Sequence, residues 1–339
     1  MGRLARIGSL LRVRPEAYRF VSEFGFESLP AEATIAEFAP DPTDWNLDSP
    51  VMDHHQRCDA GNARILFYLA QQFRLPRDFG GIVYLSQILQ AEAMRVGVEH
   101  WRRERDRCGG ALYWQLNDCW PVSSWSSIDY FGRWKALHYA TRRFFAPVML
   151  SCSVHNGEAV ISVTNDRATV WTGEIRWSME RLDGERIIGG SVADEAPALG
   201  TTRVATIPVP AAVDERRNTV LVVELLEGGA MSALVVMPFV PDKHLALRKP
   251  ELAASVVTAR SERAPAPEGG TRAAVVLRSD VLARWVELSL AGADAAFDDN
   301  YFDLPAGREV TIGFELPDGW DAERARAALR VRSVADTYA

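Results

Sequence analysis

The rhythm of hydrophobic and polar positions changes once along this 339-residue chain, near Pro147. Before it, strand-like runs alternate with helical periodicity. "RFVSEFGF" (19–26) and "GGALYWQLND" (109–118) read as short strands, the second entered through Gly109-Gly110 and left through an Asn-Asp pair. "NARILFYLAQQFRLP" sets Ile65, Leu69 and Phe73 at helical spacing and stops at Pro76. In "YLSQILQAEAMRVGVEHWRRER", Leu85, Ile88, Met94, Val98 and Trp101 line one face of a longer helix. A closing helix is predicted over "GRWKALHYATRRFFAPV", with Trp134, Leu137 and Thr141 on one side. Strand, helices, strand, helix is the repeat of a parallel α/β barrel or a doubly wound sheet, but only two strands are present.

After Pro147 the pattern is short, alternating and turn-rich. "EIRWSMERLDGERI" alternates Ile175, Trp177 and Met179 against Arg176, Ser178 and Glu180 before an Asp183-Gly184 turn. "NTVLVVELLEGG" and "MSALVVMPFV" add two strands, so 148–243 predicts a β-sandwich. A second sandwich is predicted over 244–339 from "TRAAVVLRSD", "RWVELSLAG", "NYFDLPAGREVTIGF" and "ARAALRVRSV", all read as strands. "SERAPAPEGG" (261–270) reads as a surface loop. The expected class is α/β plus all-β, with an α/β segment over 1–147 and two sandwiches behind it.

Charge and composition then narrow the function. A net charge of -7 argues against phosphate-backbone binding, which needs a basic face. The one basic run, "WRRERDR" (101–107), is interleaved with acids and reads as a solvated helix face. Cys58, Cys108, Cys119 and Cys152 form neither a CxxC pair nor a disulfide rhythm, which predicts reduced thiols in a cytoplasmic protein. "MGRLARIGSLLRVRPE" has too short an apolar stretch for a secretory signal, Arg6 excludes myristoylation, and no run approaches the roughly 20 apolar residues of a membrane span. Neither nucleic acid nor membrane is an expected partner.

The candidate chemistry starts at Glu23, a carboxylate inside an apolar, aromatic strand and followed by Gly25 two residues on. It is either a strand-end acid paired with Arg19 at i−4 or a functional group, and in α/β barrels the C-terminal strand ends carry the chemistry. Glu27 reads as a surface acid. His54-His55 are adjacent, so their side chains point apart, and no third ligand stands at a familiar metal spacing. No phosphate loop or GxSxG elbow is present, and no cofactor is expected.

"FVSEFGFESLP" together with "GGALYWQLNDCWPVSSWSSIDYFGRWKALHY" closely resembles the C-terminal part of the catalytic barrel of family 2 glycoside hydrolases, the β-mannosidases among them. "FDDNYFDLPAG" (297–307) resembles the signature of their last immunoglobulin-like domain. The resemblance implies the last two strands, seven and eight, of a (β/α)8 TIM barrel followed by two immunoglobulin-like sandwiches. It implies a retaining exo-β-mannosidase acting on terminal β-mannose, with Glu23 as nucleophile and Trp114 against the sugar ring. Asn117 and Asp118 could bond sugar hydroxyls or serve as turn formers, and Trp120 and Trp125 could line the same mouth or pack it.

One part of that machinery is absent. In this clan the acid/base glutamate directly follows an asparagine, and none of Asn46, Asn62, Asn117, Asn156, Asn165, Asn218 and Asn300 precedes a glutamate. The resemblance therefore implies the C-terminal portion of such an enzyme, inactive alone, with the missing N-terminal barrel portion as a partner. The competing expectations are a non-catalytic carbohydrate-binding or interaction protein and another family 2 activity such as exo-β-glucosaminidase.

Overall fold

A computed structural model describes residues 18–258 and 271–338; the readings of the 1–16 stretch and the 261–270 loop lie outside the described residues. Strands β1 (Val21–Phe24) and β2 (Ala111–Tyr113) pair in parallel, with Val21 opposite Ala111 and Phe24 opposite Tyr113. Between them run α1 (Glu32–Phe38), α2 (Pro50–His54), α3 (Gly61–Gln72) and α4 (Phe79–Arg103), and α5 (Ala136–Phe144) follows β2. The two short helices, α1 and α2, have too few turns to show a period. Helix α2 is specified instead by its start, Pro50 behind Ser49, whose hydroxyl accepts the Met52 N–H at 3.3 Å.

The two periodic helices form as their spacing predicts. Ile65 and Leu69 of α3 are buried, as is Phe73 at its C-cap, and so are Leu85, Ile88, Met94, Val98 and Trp101 of α4. Asp78 caps α4 by accepting the Gly81 N–H at 2.8 Å, and the Trp101 ring meets Phe24 edge-on at 4.6 Å, which seats the helix behind β1. The basic run at its end is not a freely solvated face. Arg102 donates to the carbonyls of Phe144 and Ala146 and pairs with Asp166 at 2.8 Å, and Arg105 pairs with the same carboxylate. Three carbonyl or carboxylate acceptors sit where the helix meets the next segment, so the arginines are drawn to them.

The first sandwich contains β3 (Val148–His155), β4 (Glu158–Asn165), β5 (Trp171–Arg181), β6 (Arg186–Ala196), β7 (Gly200–Pro208), β8 (Thr219–Glu227) and β9 (Ala230–Pro238), with α6 (Val213–Asn218) before β8. One sheet has the order β3-β4-β7 and the other β6-β5-β8-β9. Leu150, Ile161, Val163, Trp171, Ile175, Leu221 and Val223 fill the space between them. Trp177 and Met179 face that core as the alternation predicts, but Ser178 and Glu180 on the opposite face are also buried and bond each other. Residues 18–181 together with 186–246 form one compact unit.

The second compact unit holds β10 (Leu252–Thr258), β11 (Arg272–Ser279), β12 (Ala283–Leu290), β13 (Phe302–Leu304), β14 (Glu309–Glu315), α7 (Ala322–Ala328) and β15 (Leu329–Arg332). Its sheets are β10-β11-β14 and β13-β12-β15. Only the second half of "ARAALRVRSV" is a strand. Its first half ends α7, because Asp321 caps that helix by accepting the Arg324 N–H and the alanines favour it.

"FDDNYFDLPAG" is a staple on β12. Buried Asn300 accepts the Leu288 N–H at 2.8 Å and returns its amide to the Leu288 carbonyl at 2.9 Å, while Asp303 holds the Trp285 N–H and the Arg284 guanidinium. Trp285 and Tyr301 take left-handed backbone angles, φ 54° and 50°, which the staple maintains against a cost of about 1–2 kcal/mol each. Replacing Asn300 with alanine leaves two buried main-chain groups unmet. Asn300→Ala should destabilise this unit by about 2–4 kcal/mol in a denaturant titration, whereas Asp299→Ala nearby should cost less.

Candidate functional site

The site is built on the two parallel strands. A register shift separates the pairs Val21–Ala111 and Phe24–Tyr113, so alternation does not run unbroken through β1. Phe24 is covered, whereas Glu23 is exposed and Leu112 and Trp114 are 57% and 46% exposed, so all three reach solvent at the C-terminal ends of the two strands. The Trp114 N–H donates to the Phe24 carbonyl at 2.7 Å, which carries the pairing one residue past β2. The Trp114-Gln115 peptide is cis. Glu23 makes no hydrogen bond or ion pair with any described residue, so the Arg19 pairing is not formed. Gly25 is required for space: a Cβ there would sit 2.3 Å from the Trp114 carbonyl oxygen and 2.8 Å from the Trp125 ring.

The loops leaving the two strands are sewn together. Ser28 and Ser124 exchange main-chain hydrogen bonds at 2.9 and 3.1 Å, and buried Gln90 of α4 donates to the carbonyls of Phe26 and Ser126 and accepts the Ser28 hydroxyl at 2.8 Å. Past Trp114, segment 125–128 runs parallel to 115–117, through Gln115 N–H to the Trp125 carbonyl, Ser127 N–H to that of Gln115, and Ile128 N–H to that of Leu116.

Beneath these loops lies a buried charge layer. Asp118 accepts the hydroxyls of Ser124 and Ser126 at 2.7 and 2.6 Å and the Gln115 amide at 3.2 Å. Asp129 accepts the Thr34 hydroxyl and the N–H groups of Ala31, Phe131 and Arg133. Lys135, 1% exposed, donates to the Ser124 carbonyl at 3.4 Å. Burial pulls its ammonium down to about 8, opposed by the carboxylates of Asp118, Asp129 and Glu27.

Of the residues singled out from the sequence, Glu23 and Trp114 are both exposed, at the C-terminal ends of adjacent parallel strands. Asn117 is exposed beyond them, its amide donating to the Asp118 carbonyl at 3.2 Å. Asp118 is buried and committed to Ser124 and Ser126. Glu27 is not a surface acid: it is buried, with Oε1 unpartnered, and burial pushes its carboxyl up against the pull of Arg64. Trp125 is half-buried against Gly25, while Trp120 stacks on His55 at 4.9 Å with the Arg57 guanidinium 5.2 Å from its ring. His55 also stacks on Phe38 at 3.9 Å, its Nδ1 2.6 Å from the Pro121 carbonyl. Lys135, Gln90 and Asp129 carried no expectation. A lysine inside the Trp-rich, apolar run "GRWKALHY" was the available signal for the first.

Residues 157–244 match the mannosidase Ig/CBM-like domain and residues 247–337 the Ig-fold domain of mannosidases. The chain is similar to β-mannosidase B of Thermothelomyces thermophilus, at 32% identity over 332 residues, covering 87% of this chain and 37% of that enzyme. It superposes on the β-D-mannosidase of Dictyoglomus thermophilum with TM-score 0.84 at 28% identity, covering 93% of this chain and 37% of that one. The similarity is to family 2 β-mannosidases. The chain matches a C-terminal portion of these β-mannosidases and spans little more than a third of their length. An exo-chitosanase from Amycolatopsis orientalis shares the fold, with TM-score 0.75 at 16% identity, covering 96% of this chain and 43% of that one.

The charge layer has a pH signature. Lys135 binds its proton less tightly folded than unfolded, so stability should rise as pH increases from about 8 towards the unfolded lysine range near 10.4. The gain should be of the order of 3 kcal/mol. Lys135→Met should abolish this rise, and urea titrations of both proteins across that window measure the difference.

Proposed function

We propose that residues 18–147 are the last β/α portion of a retaining β-mannosidase barrel, β1 and β2 being its seventh and eighth strands, and that Glu23 is its nucleophile. In this reading the domains run 1–147, 148–243 and 244–339. The observation that supports it is an exposed carboxylate, without hydrogen bond or ion pair among the described residues, and a half-exposed indole at the C-terminal ends of adjacent parallel strands. Relatives named β-mannosidase support the substrate class, a terminal β-mannoside.

The reaction follows from those groups. A Glu23 oxygen attacks C1 of the terminal mannose, forming a glycosyl-enzyme ester as the bond from C1 to the aglycone oxygen breaks. A carboxylic acid about 5 to 5.5 Å away protonates the departing oxygen, and the same group as carboxylate then takes a proton from the water that opens the ester. No Asn-Glu pair in this chain supplies it, so it comes from the barrel portion that precedes these strands in the relatives. Trp114 offers its face to the C–H face of the pyranose, and Asn117 keeps its amide oxygen for a sugar hydroxyl. Asp118 acts by positioning, through the serines that shape the loop.

The chain alone should not release p-nitrophenol from p-nitrophenyl β-mannoside. Supplied with a barrel portion carrying the Asn-Glu strand end, it should turn over, and Glu23→Gln should lower kcat by about four orders of magnitude with KM little changed. Turnover by the repurified chain alone that vanishes in Glu23→Gln would mean that the acid/base lies within these residues.

A further inference from the structure

Just past Asn117 the chain forms a small hairpin whose build is out of proportion to its size. Ile128 bridges Trp134 antiparallel, Asp129 N–H donates to the Arg133 carbonyl at 3.0 Å, and Gly132, at φ 84°, closes the tip. Asp129, 2% exposed, pins it from below by accepting the N–H groups of Phe131 and Arg133, and from the side by accepting the Ala31 N–H and the Thr34 hydroxyl. Arg133 adds a bond to Thr34 Oγ1 at 2.8 Å. The hairpin is thus fixed to the loops leaving both strands. Yet its tip consists of two adjacent aromatics facing solvent: Tyr130 is 47% and Phe131 45% exposed, their rings edge-to-face at 5.0 Å.

A rigid base under exposed aromatic rings is a stacking platform, because the entropy of ordering the rings is met within the fold before any ligand arrives. Its direction is set by the strands. Segment 125–128 runs parallel to 115–117, so residues 130–131 continue beyond the C-terminal end of β2, outward from Trp114. Leu116, two residues past Trp114, is also exposed. A glycoside seated with its terminal sugar at Trp114 and C1 at Glu23 directs its leaving group outward along this path.

We infer that Tyr130 and Phe131 form the binding platform for the leaving-group sugar, the ring attached through the scissile bond to the terminal mannose. This rests on the reading of Glu23 and Trp114 as the cleavage subsite. Phe131, already under the Arg133 guanidinium at 5.3 Å, offers a ring edge or its second face. Tyr130 offers a ring and a hydroxyl that makes no hydrogen bond with described residues, matching a sugar that presents both C–H and O–H groups.

Saturation-transfer NMR on the full chain with β-1,4-mannobiose, irradiating the protein's aromatic protons, tests this ring by ring. The unaltered chain should pass saturation to both rings. Tyr130→Leu/Phe131→Leu, which keeps apolar bulk but removes both π faces, should lower the signal on the reducing ring about fivefold and leave the non-reducing ring unchanged. Tyr130→Ala/Phe131→Ala should do the same, with an unshifted thermal transition showing that the fold is intact. Trp114→Ala should remove the non-reducing ring's signal. Equal loss on both rings in the double variants, or loss on neither, would overturn the platform. Saturation confined to the reducing ring of the unaltered chain would instead defeat the Trp114 subsite while the platform stands.

Discussion

A ribbon of two short parallel strands has too few hydrogen bonds to fix its own register, and among the described residues β1 pairs only with β2. The register on which Glu23 and Trp114 depend is held from behind. Gln90 reaches out of α4 to both post-strand loops, Ser28 and Ser124 join those loops directly, and Asp118, Asp129 and Lys135 keep the second loop in one shape. A buried charge is tolerated only when partnered. Here Asp118 and Asp129 each hold three or more donors, so they favour a single arrangement of the loop over the many that an apolar filling would permit.

That arrangement leaves the two strands partly covered and partly open. Phe24 is sealed by Trp101 of α4, while Glu23, Leu112 and Trp114 are left uncovered. In a chain spanning about a third of its relatives' length, an exposed apolar strip of this kind fits a surface that the proposed barrel would enclose. The same uncovered strip is where the proposed reaction takes place.

Much of the fold was legible wherever burial imposed a period. Helices α3 and α4, the change of class at Pro147 and the hairpin turning at Gly184 follow from spacing and turn residues. What escaped was decided by partners distant in sequence. Glu27 looks solvated because nothing near it in the chain forecasts burial beside Arg64 and Lys135, and "WRRERDR" looks like a free face because its acceptor, Asp166, lies some sixty residues away. Asp118 carried the chemistry of a sugar ligand, but two serines, Ser124 and Ser126, face it across the loop. "ARAALRVRSV" divides into helix and strand because a cap at Asp321, just before it, outweighs the alternation. Glu23 and Trp114 were singled out as a pair through the resemblance to family 2 glycoside hydrolases, and the parallel pairing of β1 and β2 brings the C-terminal ends of their two strands together.

The central claim is that the carboxylate at position 23 meets C1 of a mannose beside Trp114. A 2-deoxy-2-fluoro-mannosyl fluoride carries a leaving group that departs without an acid, so it addresses the nucleophile separately from the absent acid/base. Peptide mapping by mass spectrometry after exposure of the chain to this reagent should find the fluoromannosyl ester on the peptide containing Glu23, and none in Glu23→Gln. An adduct on any other carboxylate, or one that persists in the Glu23→Gln protein, would contradict the account.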